Sequence, residues 1–271
     1  MASSSRYGLI AGNGKFPFLV LEAARSQGIE MVVAAIKEET FPEIEHHAQR
    51  VHWMSLGQLG KLIKTFKSEG VSRAIMAGQV KHKQIFSSII PDLKMIQLLA
   101  SLATKNTDSL IGGVAKMLEN EGIHLIDSTS FLRPLLPEPG VLTRRAPTED
   151  EKRDLDYGYK IARELGRLDL GQSVAVCDGA CVALEAMEGT DAIIERAGSL
   201  VDGRMLRIVK LAKPNQDLRF DVPVIGRATV QLMARLRVSA LAIEARKTLM
   251  IDREDVIRDA DAADITIVAL E

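Results

Sequence analysis

The sequence is poor in cysteine and in aromatic residues, and it lacks a long apolar run. Two cysteines in 271 residues cannot form the disulfide framework of a small secreted domain. Cys177 and Cys181 lie in an apolar region without a histidine cluster, so we expect buried free thiols. No run approaches the roughly 18 apolar residues of a membrane span. The N-terminal Met-Ala-Ser-Ser-Ser-Arg has no signal-peptide core. These absences predict a cytoplasmic protein.

Neither sign of charge is in excess, which excludes the usual nucleic-acid-binding composition. The 35 basic and 36 acidic side chains give a formal net charge of -1. Nucleic-acid binders normally carry a basic excess or a basic stripe, so no nucleic-acid partner is expected. Aromatic residues make up only 4% of the chain, and the core must therefore be aliphatic.

Strand and helix patterns alternate along the N-terminal half, which is typical of an α/β fold. Short apolar runs at 7–11, 31–36 and 73–77 predict strands, and helical spacing of apolar residues follows at 18–27 and 58–68. This alternation favours a parallel, Rossmann-like sheet.

The chain is long enough for two domains, and its composition suggests where they divide. The segment 133–147 is rich in proline and has little periodicity, so it is predicted to be a linker. We therefore expect an N-terminal domain at 1–132 and a C-terminal mixed α/β domain at 148–271. Thr148 and Glu151 have the spacing of a capping box and predict the start of a helix.

A glycine loop follows the first predicted strand. Gly12, Asn13 and Gly14 precede Phe16 and Pro17, which open the first predicted helix. Glycines in such a turn let backbone N–H groups approach an anion at the helix N-terminus. The third glycine of the dinucleotide fingerprint is absent. The loop is therefore interpreted as a nucleotide or phosphate site, with a tight turn that binds nothing as the alternative.

A second glycine loop follows the strand predicted at 73–77. It contains Gly78 and Lys81. Open α/β sheets place ligands at the carboxyl ends of their strands, where this loop and the first one would lie. Lys81 could equally be a solvated surface residue.

The stretch from Lys213 to Gly226 concentrates charge between rigid turn residues. Its prolines restrict the backbone, and its charged residues alternate in sign. Lys213 and Arg219 could neutralise phosphate oxygens, while Asp221 could hold a divalent ion or activate water. A bulged surface segment with internally paired charges is the alternative.

Three carboxylates recur at intervals of three just before this stretch. Glu185, Glu188 and Asp191 end an apolar run beside Thr190. Mg²⁺ usually takes one or two carboxylates together with water and phosphate oxygens. The run is thus a candidate Mg²⁺ shell, although Asp191 could also cap a helix and Glu185 could pair with a lysine.

Read in order, five motifs resemble the LpxI family of UDP-2,3-diacylglucosamine pyrophosphatases. They are Gly8-Leu-Ile-Ala-Gly-x-Gly-x-Phe-Pro17, Ala77-Gly-x-Val80, Asp169-x-Gly-Gln172, Glu185-x-x-Glu-Gly-Thr-Asp191 and Lys213-Pro-x-Gln-Asp-x-Arg-Phe-Asp-x-Pro-x-Ile-Gly226. The resemblance spans nearly the whole chain, and the last two motifs are the specific ones.

The resemblance implies hydrolysis of UDP-2,3-diacylglucosamine to UMP and 2,3-diacylglucosamine 1-phosphate (lipid X) in lipid A biosynthesis. It implies Mg²⁺ as cofactor, with Mn²⁺ as an alternative, and Asp221 as the essential carboxylate. The expected catalytic residues are Asp221, Lys213, Arg219, Asp217 and Gln216. The expected substrate-binding residues are Gly12, Asn13, Gly14, Phe16, Pro17, Gly78, Lys81, Gly171, Gln172 and Thr190. The expected metal ligands are Asp221, Glu185, Glu188 and Asp191.

A lipid substrate implies transient contact with the inner membrane surface. The apolar segment 85–102 is a candidate for receiving acyl chains, with an ordinary core segment as the alternative. A homodimer is a further open alternative.

Two other functions compete with this interpretation. A nicotinamide-dependent oxidoreductase built on the glycine loop would require the missing third glycine and a ribose-binding acid, for which Glu38 or Glu39 is a loose match. A non-catalytic nucleotide-sugar sensor would bind the substrate without turnover, and it leaves the charged motifs at 185–226 without a chemical role.

Overall fold

The chain folds into two α/β units, as seen in a computed structural model that describes residues 6–80, 90–102, 107–214 and 216–271. By its internal contacts the first unit runs to Leu132 and includes Asp217–Phe220. The second unit comprises Arg133–Gln216 and Asp221–Glu271. The α/β class, with a parallel sheet in one unit and a mixed sheet in the other, is confirmed.

The first unit is built on a parallel five-stranded sheet of order β3-β2-β1-β4-β5. Its strands are Tyr7–Ala11 (β1), Met31–Ile36 (β2), Arg50–Met54 (β3), Arg73–Ala77 (β4) and His124–Leu125 (β5). Its α-helices are Phe16–Ser26 (α1), Leu59–Ser68 (α2), Leu93–Ser101 (α3) and Thr107–Asn120 (α4), with a 3-10 turn at Pro42–His46.

The strand order places a topological switch point between β1 and β4. The chain moves outward from β1 to β2 and β3, and then returns to the other side of β1 with β4. The loops that follow β1 and β4 therefore diverge from neighbouring strands at the carboxyl edge of the sheet. In open α/β sheets such a crevice is where ligands bind.

Burial explains which of these strands the sequence predicted. β2 is buried at all six positions, so it forms a continuous apolar run. β3 is an edge strand with four half-buried positions, and its sequence Arg-Val-His-Trp-Met carries little apolar signal. The sequence analysis did not predict β3 for that reason.

The second unit contains a mixed six-stranded sheet of order β6-β13-β11-β9-β7-β8. Its strands are Gly140–Val141 (β6), Ser173–Cys177 (β7), Ala180–Leu184 (β8), Leu206–Lys210 (β9), Val238–Glu244 (β11) and Thr266–Leu270 (β13). Val224–Ile225 (β10) and Leu249–Met250 (β12) form a separate parallel pair. The α-helices are Glu149–Arg167 (α5), Thr190–Leu200 (α6), Arg227–Arg235 (α7) and Arg253–Ala262 (α8), with a 3-10 turn at Arg133–Leu135.

The central strands of the second sheet are buried and mostly apolar. β7, β9 and β11 are buried at every position. β9 and β11 run parallel, whereas β7 runs antiparallel to β9. Cys177 at the end of β7 is buried as predicted, while Cys181 on β8 is only half-buried, and both thiols are free.

The proline-rich segment 133–147 belongs to the second unit by its contacts. Its β6 pairs antiparallel with β13, and the Leu142 N–H donates to the Ile267 carbonyl at 2.9 Å. The predicted capping box follows directly. The Thr148 hydroxyl accepts from the Glu151 N–H, and the Glu151 carboxylate accepts from the Thr148 N–H, which confirms the start of α5.

Candidate active site

The loops after β1 and β4 meet at the switch point of the first sheet. Asn13 and Gln79 form an antiparallel bridge, with N–H to carbonyl distances of 2.8 and 3.1 Å. The Asn13 amide group also donates to the Glu39 carbonyl at 3.1 Å, which ties in the loop after β2. Three strand ends of the parallel sheet are thus linked through one loop.

The glycines of these loops permit a close backbone approach. A Cβ on Gly12 would lie 2.8 Å from the Gln79 carbonyl oxygen. Gly78 has a φ of +92°, and a Cβ there would lie 2.6 Å from the Asn13 carbonyl oxygen. Packing of one loop against the other therefore accounts for Gly12 and Gly78. Gly14, in contrast, faces open space. Contact of any of the three with a nucleotide stays a prediction.

Phe16 and Pro17 begin α1, and both are buried in the first unit. Proline suits the first turn of a helix because its missing N–H would have no partner there. Among the described residues no side chain caps this helix terminus, and the Phe18 N–H donates to the Lys15 carbonyl at 3.1 Å. The two residues orient the helix. Lys81, the other predicted contact of this edge, lies outside the described residues.

Asp217 and Arg219 belong to the first unit and pair with each other. The Arg219 guanidinium contacts both carboxylate oxygens of Asp217, with distances of 2.5 to 3.0 Å. Arg219 lowers the pKa of Asp217, and Asp217 raises the pKa of Arg219. The aromatic ring of Phe220 packs against the apolar core.

Ser128 fixes the backbone of the same segment. Its N–H donates to the Leu218 carbonyl at 2.9 Å. Its hydroxyl oxygen lies 2.6 Å from the Met76 carbonyl and 2.7 Å from the Arg219 carbonyl, and it can donate to one of them at a time. Asp217–Phe220 is therefore anchored beside the end of β4.

In the second unit, a buried lysine contacts both of the segments that carry the predicted acidic residues. Lys210 ends β9 and is 7% exposed. Its Nζ donates to the Thr190 hydroxyl at 3.0 Å and to the Val224 carbonyl at 2.9 Å. Burial lowers the pKa of Lys210, and the charges of Glu185, Asp191 and Asp221 oppose that shift. The charges of three predicted metal ligands thus act on one ammonium group.

Glu185 is held by its backbone as well as by its side chain. Its N–H donates to the Ser173 carbonyl at 2.9 Å, and its carboxylate lies 3.5 Å from the Thr190 hydroxyl. A Cβ on Gly171 would lie only 2.1 Å from the Glu185 carbonyl oxygen. Gly171, which was predicted to bind substrate, therefore permits the close approach that places Glu185. Glu185 itself is 6% exposed.

Asp191 and Thr190 lie in the first turn of α6. The Asp191 carboxylate accepts from the Thr229 hydroxyl of α7 at 2.8 Å. The Thr190 hydroxyl is 3.0 Å from the Ser173 hydroxyl. Hydroxyl groups from two further elements thus orient the residues around Lys210.

The remaining predicted residues have other partners. Glu188 pairs with Arg196 at 2.8 Å, and its own backbone N–H and Arg196 lower its pKa. Lys213 pairs with Asp169 at 2.6 Å. Gln216 accepts from the Lys213 N–H at 2.7 Å through its side-chain oxygen and closes a turn.

Gln172 and Gln216 each retain an unsatisfied buried polar atom. The side-chain oxygen of Gln172 and the side-chain nitrogen of Gln216 are inaccessible and have no hydrogen-bond partner among the described residues. Such atoms are uncommon in folded proteins, and they are consistent with groups that a ligand would satisfy.

We tested the described residues for an all-protein metal site. Within residues 6–80, 90–102, 107–214 and 216–271, no group of three His, Cys, Asp or Glu side chains is arranged to hold a metal ion. Mg²⁺, however, needs only one or two protein carboxylates when substrate phosphates complete its coordination. Asp221 and Asp191 are carboxylates of the type that this mode uses, and their role as metal ligands stays a prediction.

An exposed apolar surface lies on α3. Ile90, Leu93 and Ile96 are 89%, 71% and 50% exposed, whereas Met95 and Leu98 are buried. This described part of the predicted acyl-binding segment is therefore partly core and partly surface, and residues 85–89 lie outside the description. None of the helices that the structure describes is long and apolar enough to cross a bilayer.

Sequence reasoning missed Lys210 and Ser173. Lys210 follows the apolar run Leu-Arg-Ile-Val and precedes Leu211 and Ala212. A lysine enclosed by apolar residues at a predicted strand end is a signal for a buried cation, because lysine is seldom buried unless paired. Ser173 carries no such signal.

Two family models together match almost the whole chain. The LpxI N-terminal domain matches residues 6–135, and the LpxI C-terminal domain matches residues 138–268. A protein of Caulobacter vibrioides, named UDP-2,3-diacylglucosamine pyrophosphatase LpxI, is 32% identical over 276 residues, which covers 98% of each chain.

Similarity to solved structures is remote. CobK precorrin-6A reductase is 10% identical with a TM-score of 0.31, over 98% of this chain and 87% of that one. The biotin carboxylase domain of Hydrogenobacter thermophilus 2-oxoglutarate carboxylase is 11% identical with a TM-score of 0.28. That match covers 64% of this chain and only 35% of the other structure. Similarity this low says nothing about function.

Proposed function

Because the chain belongs to the LpxI family, we propose that it is a UDP-2,3-diacylglucosamine pyrophosphatase of lipid A biosynthesis. The reaction hydrolyses the pyrophosphate of UDP-2,3-diacylglucosamine to UMP and lipid X. A water oxygen forms a new bond to one phosphorus atom, and the bridging P–O bond breaks. The observation that supports this proposal most is that the buried Lys210 ammonium group hydrogen-bonds Thr190 and Val224, one residue from each of the two motifs that are specific to the family.

Asp221 is the proposed centre of the chemistry. As a carboxylate it can orient water or accept a proton from it, and it can ligate a divalent ion. We propose that Asp221 and Asp191 hold Mg²⁺ together with substrate phosphate oxygens. The bound ion would polarise a phosphoryl oxygen. Glu185 is more deeply buried than Asp221 and Asp191, so we propose that it positions the neighbouring residues and does not bind the metal ion.

Lys213 and Arg219 are the proposed phosphate-neutralising residues. Each already forms an ion pair, with Asp169 and Asp217 respectively. Side-chain exposure of 22% for Lys213 and 42% for Arg219 leaves both groups partly accessible. An incoming phosphate would have to replace or share the existing carboxylate partner. Arg is well suited to this because its planar fork can contact two oxygens at once.

The lipid part of the substrate suggests work at the cytoplasmic surface of the inner membrane. Exposed Leu93 and Ile96 offer an apolar surface on α3. We propose that this helix contacts the lipid.

The decisive assay follows UMP release from UDP-2,3-diacylglucosamine by the purified protein with Mg²⁺. We expect turnover by the wild type. We also expect Asp221→Asn to lower kcat by about 10²–10⁴-fold, because the variant keeps the shape of the side chain and removes its charge and basicity. Asp150→Asn is the matched control, since Asp150 pairs with Arg153 on the surface of α5.

The outcomes separate the candidate functions. Equal turnover by Asp221→Asn and the wild type would refute the role of Asp221. Saturable substrate binding by the wild type without UMP release would favour the nucleotide-sugar sensor. If the wild type neither binds the substrate nor releases UMP, both the pyrophosphatase and the sensor functions are excluded.

A further inference from the structure

We propose that Lys210 is a positioning residue of the active site, whose ammonium group fixes the Asp221–Gly226 segment against the N-terminus of α6. Lys210 was not among the residues expected from the family motifs. The proposal rests on the proposed function for its effect on rate, but its structural part can be tested separately.

The ammonium group joins two elements that come from different parts of the chain. Thr190, the first residue of α6, accepts one hydrogen bond, and Val224 of β10 accepts another through its backbone carbonyl. Both distances are close to the ideal for a charged donor. Because Lys210 is itself the last residue of the buried strand β9, the sheet serves as a rigid base for both contacts.

The hydrogen bond to the Val224 carbonyl also restricts the position of Asp221. Only Val222 and Pro223 separate the two residues, and the proline ring removes one backbone degree of freedom. On the opposite side of β10, Pro223 and Ile225 accept backbone hydrogen bonds from Leu249 and Ile251 at 2.8 and 2.9 Å. The carbonyl groups of Pro223 and Ile225 thus face Leu249 and Ile251, and the Val224 carbonyl between them faces Lys210.

The charge of Lys210 supports the same role. A buried ammonium group is costly unless acidic groups compensate it, and Glu185, Asp191 and Asp221 supply that compensation. Conversely, the three carboxylates would repel one another without a cation among them. A fixed cation in the fold allows them to stay close before any divalent ion or substrate arrives.

The test replaces Lys210 by methionine, which keeps the unbranched apolar stem of the side chain and removes the ammonium group with its charge. We expect kcat for UMP release to fall by about 100-fold, as is typical for a displacement of about 1 Å in an active site. KM should change less than threefold, since Lys210 does not contact the substrate in this proposal. A variant that lost activity through unfolding alone would show a smaller active fraction with an unchanged kcat per active site.

Arg207→Met is the matched control. Arg207 lies on the same strand, is 8% exposed and pairs with carboxylates of Asp154 and Asp178. Its removal leaves the buried Asp154 carboxylate without this cation, so it should lower stability in a similar way. We expect its kcat to stay within threefold of the wild type. If Arg207→Met and Lys210→Met lose kcat equally, the role of Lys210 is only structural and the proposal is wrong.

Amide hydrogen exchange provides a readout that does not require turnover. In Lys210→Met the amides of Leu249 and Ile251 should exchange at least tenfold faster than in the wild type, because their acceptors in the Asp221–Gly226 segment lose an anchor. In Arg207→Met they should exchange as in the wild type. Unchanged exchange in folded Lys210→Met refutes the proposal whether or not the protein releases UMP, whereas absence of UMP release by the wild type refutes only the proposed function.

Lys210→Arg covers the case in which the methionine variant does not fold. It retains the buried positive charge, but a guanidinium group reaches Thr190 and Val224 with a different geometry. We expect a folded protein with kcat lowered about tenfold or more and KM little changed. Wild-type kcat in this variant, together with unchanged exchange at Leu249 and Ile251, would overturn the proposal.

Discussion

Gly171→Ala offers the sharpest test of how the active site is assembled. The new Cβ would lie 2.1 Å from the carbonyl oxygen and 2.7 Å from the carbonyl carbon of Glu185. Both obstructing atoms are backbone, so no side-chain rotation can relieve the contact. The two backbone segments would have to separate by about 1 Å to reach the shortest contacts that real Cβ atoms make.

This displacement sets the expected magnitudes. Overpacking in a well-ordered interior costs about 1–3 kcal/mol, and a backbone obstacle puts Gly171→Ala at the upper end of that range. The free energy of unfolding of the second unit should therefore fall by about 3 kcal/mol. Glu185 would move by about 1 Å with its segment, and we expect kcat to fall by about 10²-fold.

Gly198→Ala is the control for the substitution itself. Gly198 lies in α6 of the same unit, and the three atoms nearest to its Cβ would belong to the side chain of Leu236, at 3.2 to 3.5 Å. A side chain can shift by a few tenths of an ångström, and alanine favours a helix over glycine by about 1 kcal/mol. We expect the stability of this variant to stay within about 1 kcal/mol of the wild type, with unchanged kcat.

The assay combines chemical denaturation with UMP release at saturating substrate. If Gly171→Ala keeps wild-type stability and kcat, the close approach to Glu185 is not required and the assembly of the site described above is wrong. If only stability falls, Glu185 is not coupled to the chemistry.

Two further predictions concern the metal and the capping box. EDTA should abolish UMP release, and excess Mg²⁺ should restore it. The reason is the proposed need of the substrate phosphates for a divalent ion beside Asp221. Turnover that EDTA leaves unchanged would exclude the metal requirement. Burial opposes ionisation of Glu151, but the Arg145 guanidinium and the Thr148 N–H outweigh it and lower its pKa from 4.5 to about 2. The folded pKa is below the unfolded one, so the stabilisation is fully present above pH 4.5 and is lost as the pH falls towards 2. The difference in unfolding free energy between the wild type and Glu151→Gln should therefore shrink as the pH falls from 4.5 to about 2. A difference that does not change with pH would contradict the stabilising role of the ionised Glu151 carboxylate.

Much of the fold was predictable because its central strands are uniformly apolar. The predictions at 31–36 and 73–77 match β2 and β4, and alternation with helices indicated the parallel sheet. The half-exposed strand β3 and the two-residue strand β10 escaped prediction. β3 lies at an edge, and β10 has only two residues whose pairing with β12 depends on contacts distant in sequence.

The glycine loops show why residue type alone does not identify a ligand site. Gly12 and Gly78 were interpreted as positions where a nucleotide approaches the backbone. The space that a Cβ would occupy at each position is filled by backbone of the opposite loop, and contact with a nucleotide stays a prediction. Glycine is required equally when the approaching atom belongs to a ligand and when it belongs to the protein. Sequence cannot distinguish these cases before the strand order is known.

The acidic run illustrates a second limit. Glu185, Glu188 and Asp191 recur at intervals of three, which would place them on one face of a continuous helix. β8 ends at Leu184 and α6 begins at Thr190, so the interval has no such meaning here. Glu188 pairs with Arg196, whereas Glu185 and Asp191 contribute charge around Lys210. What gathers the acidic residues is a buried cation at the end of β9, and that grouping is a property of the sheet order, since β9 lies beside β7 and β7 beside β8.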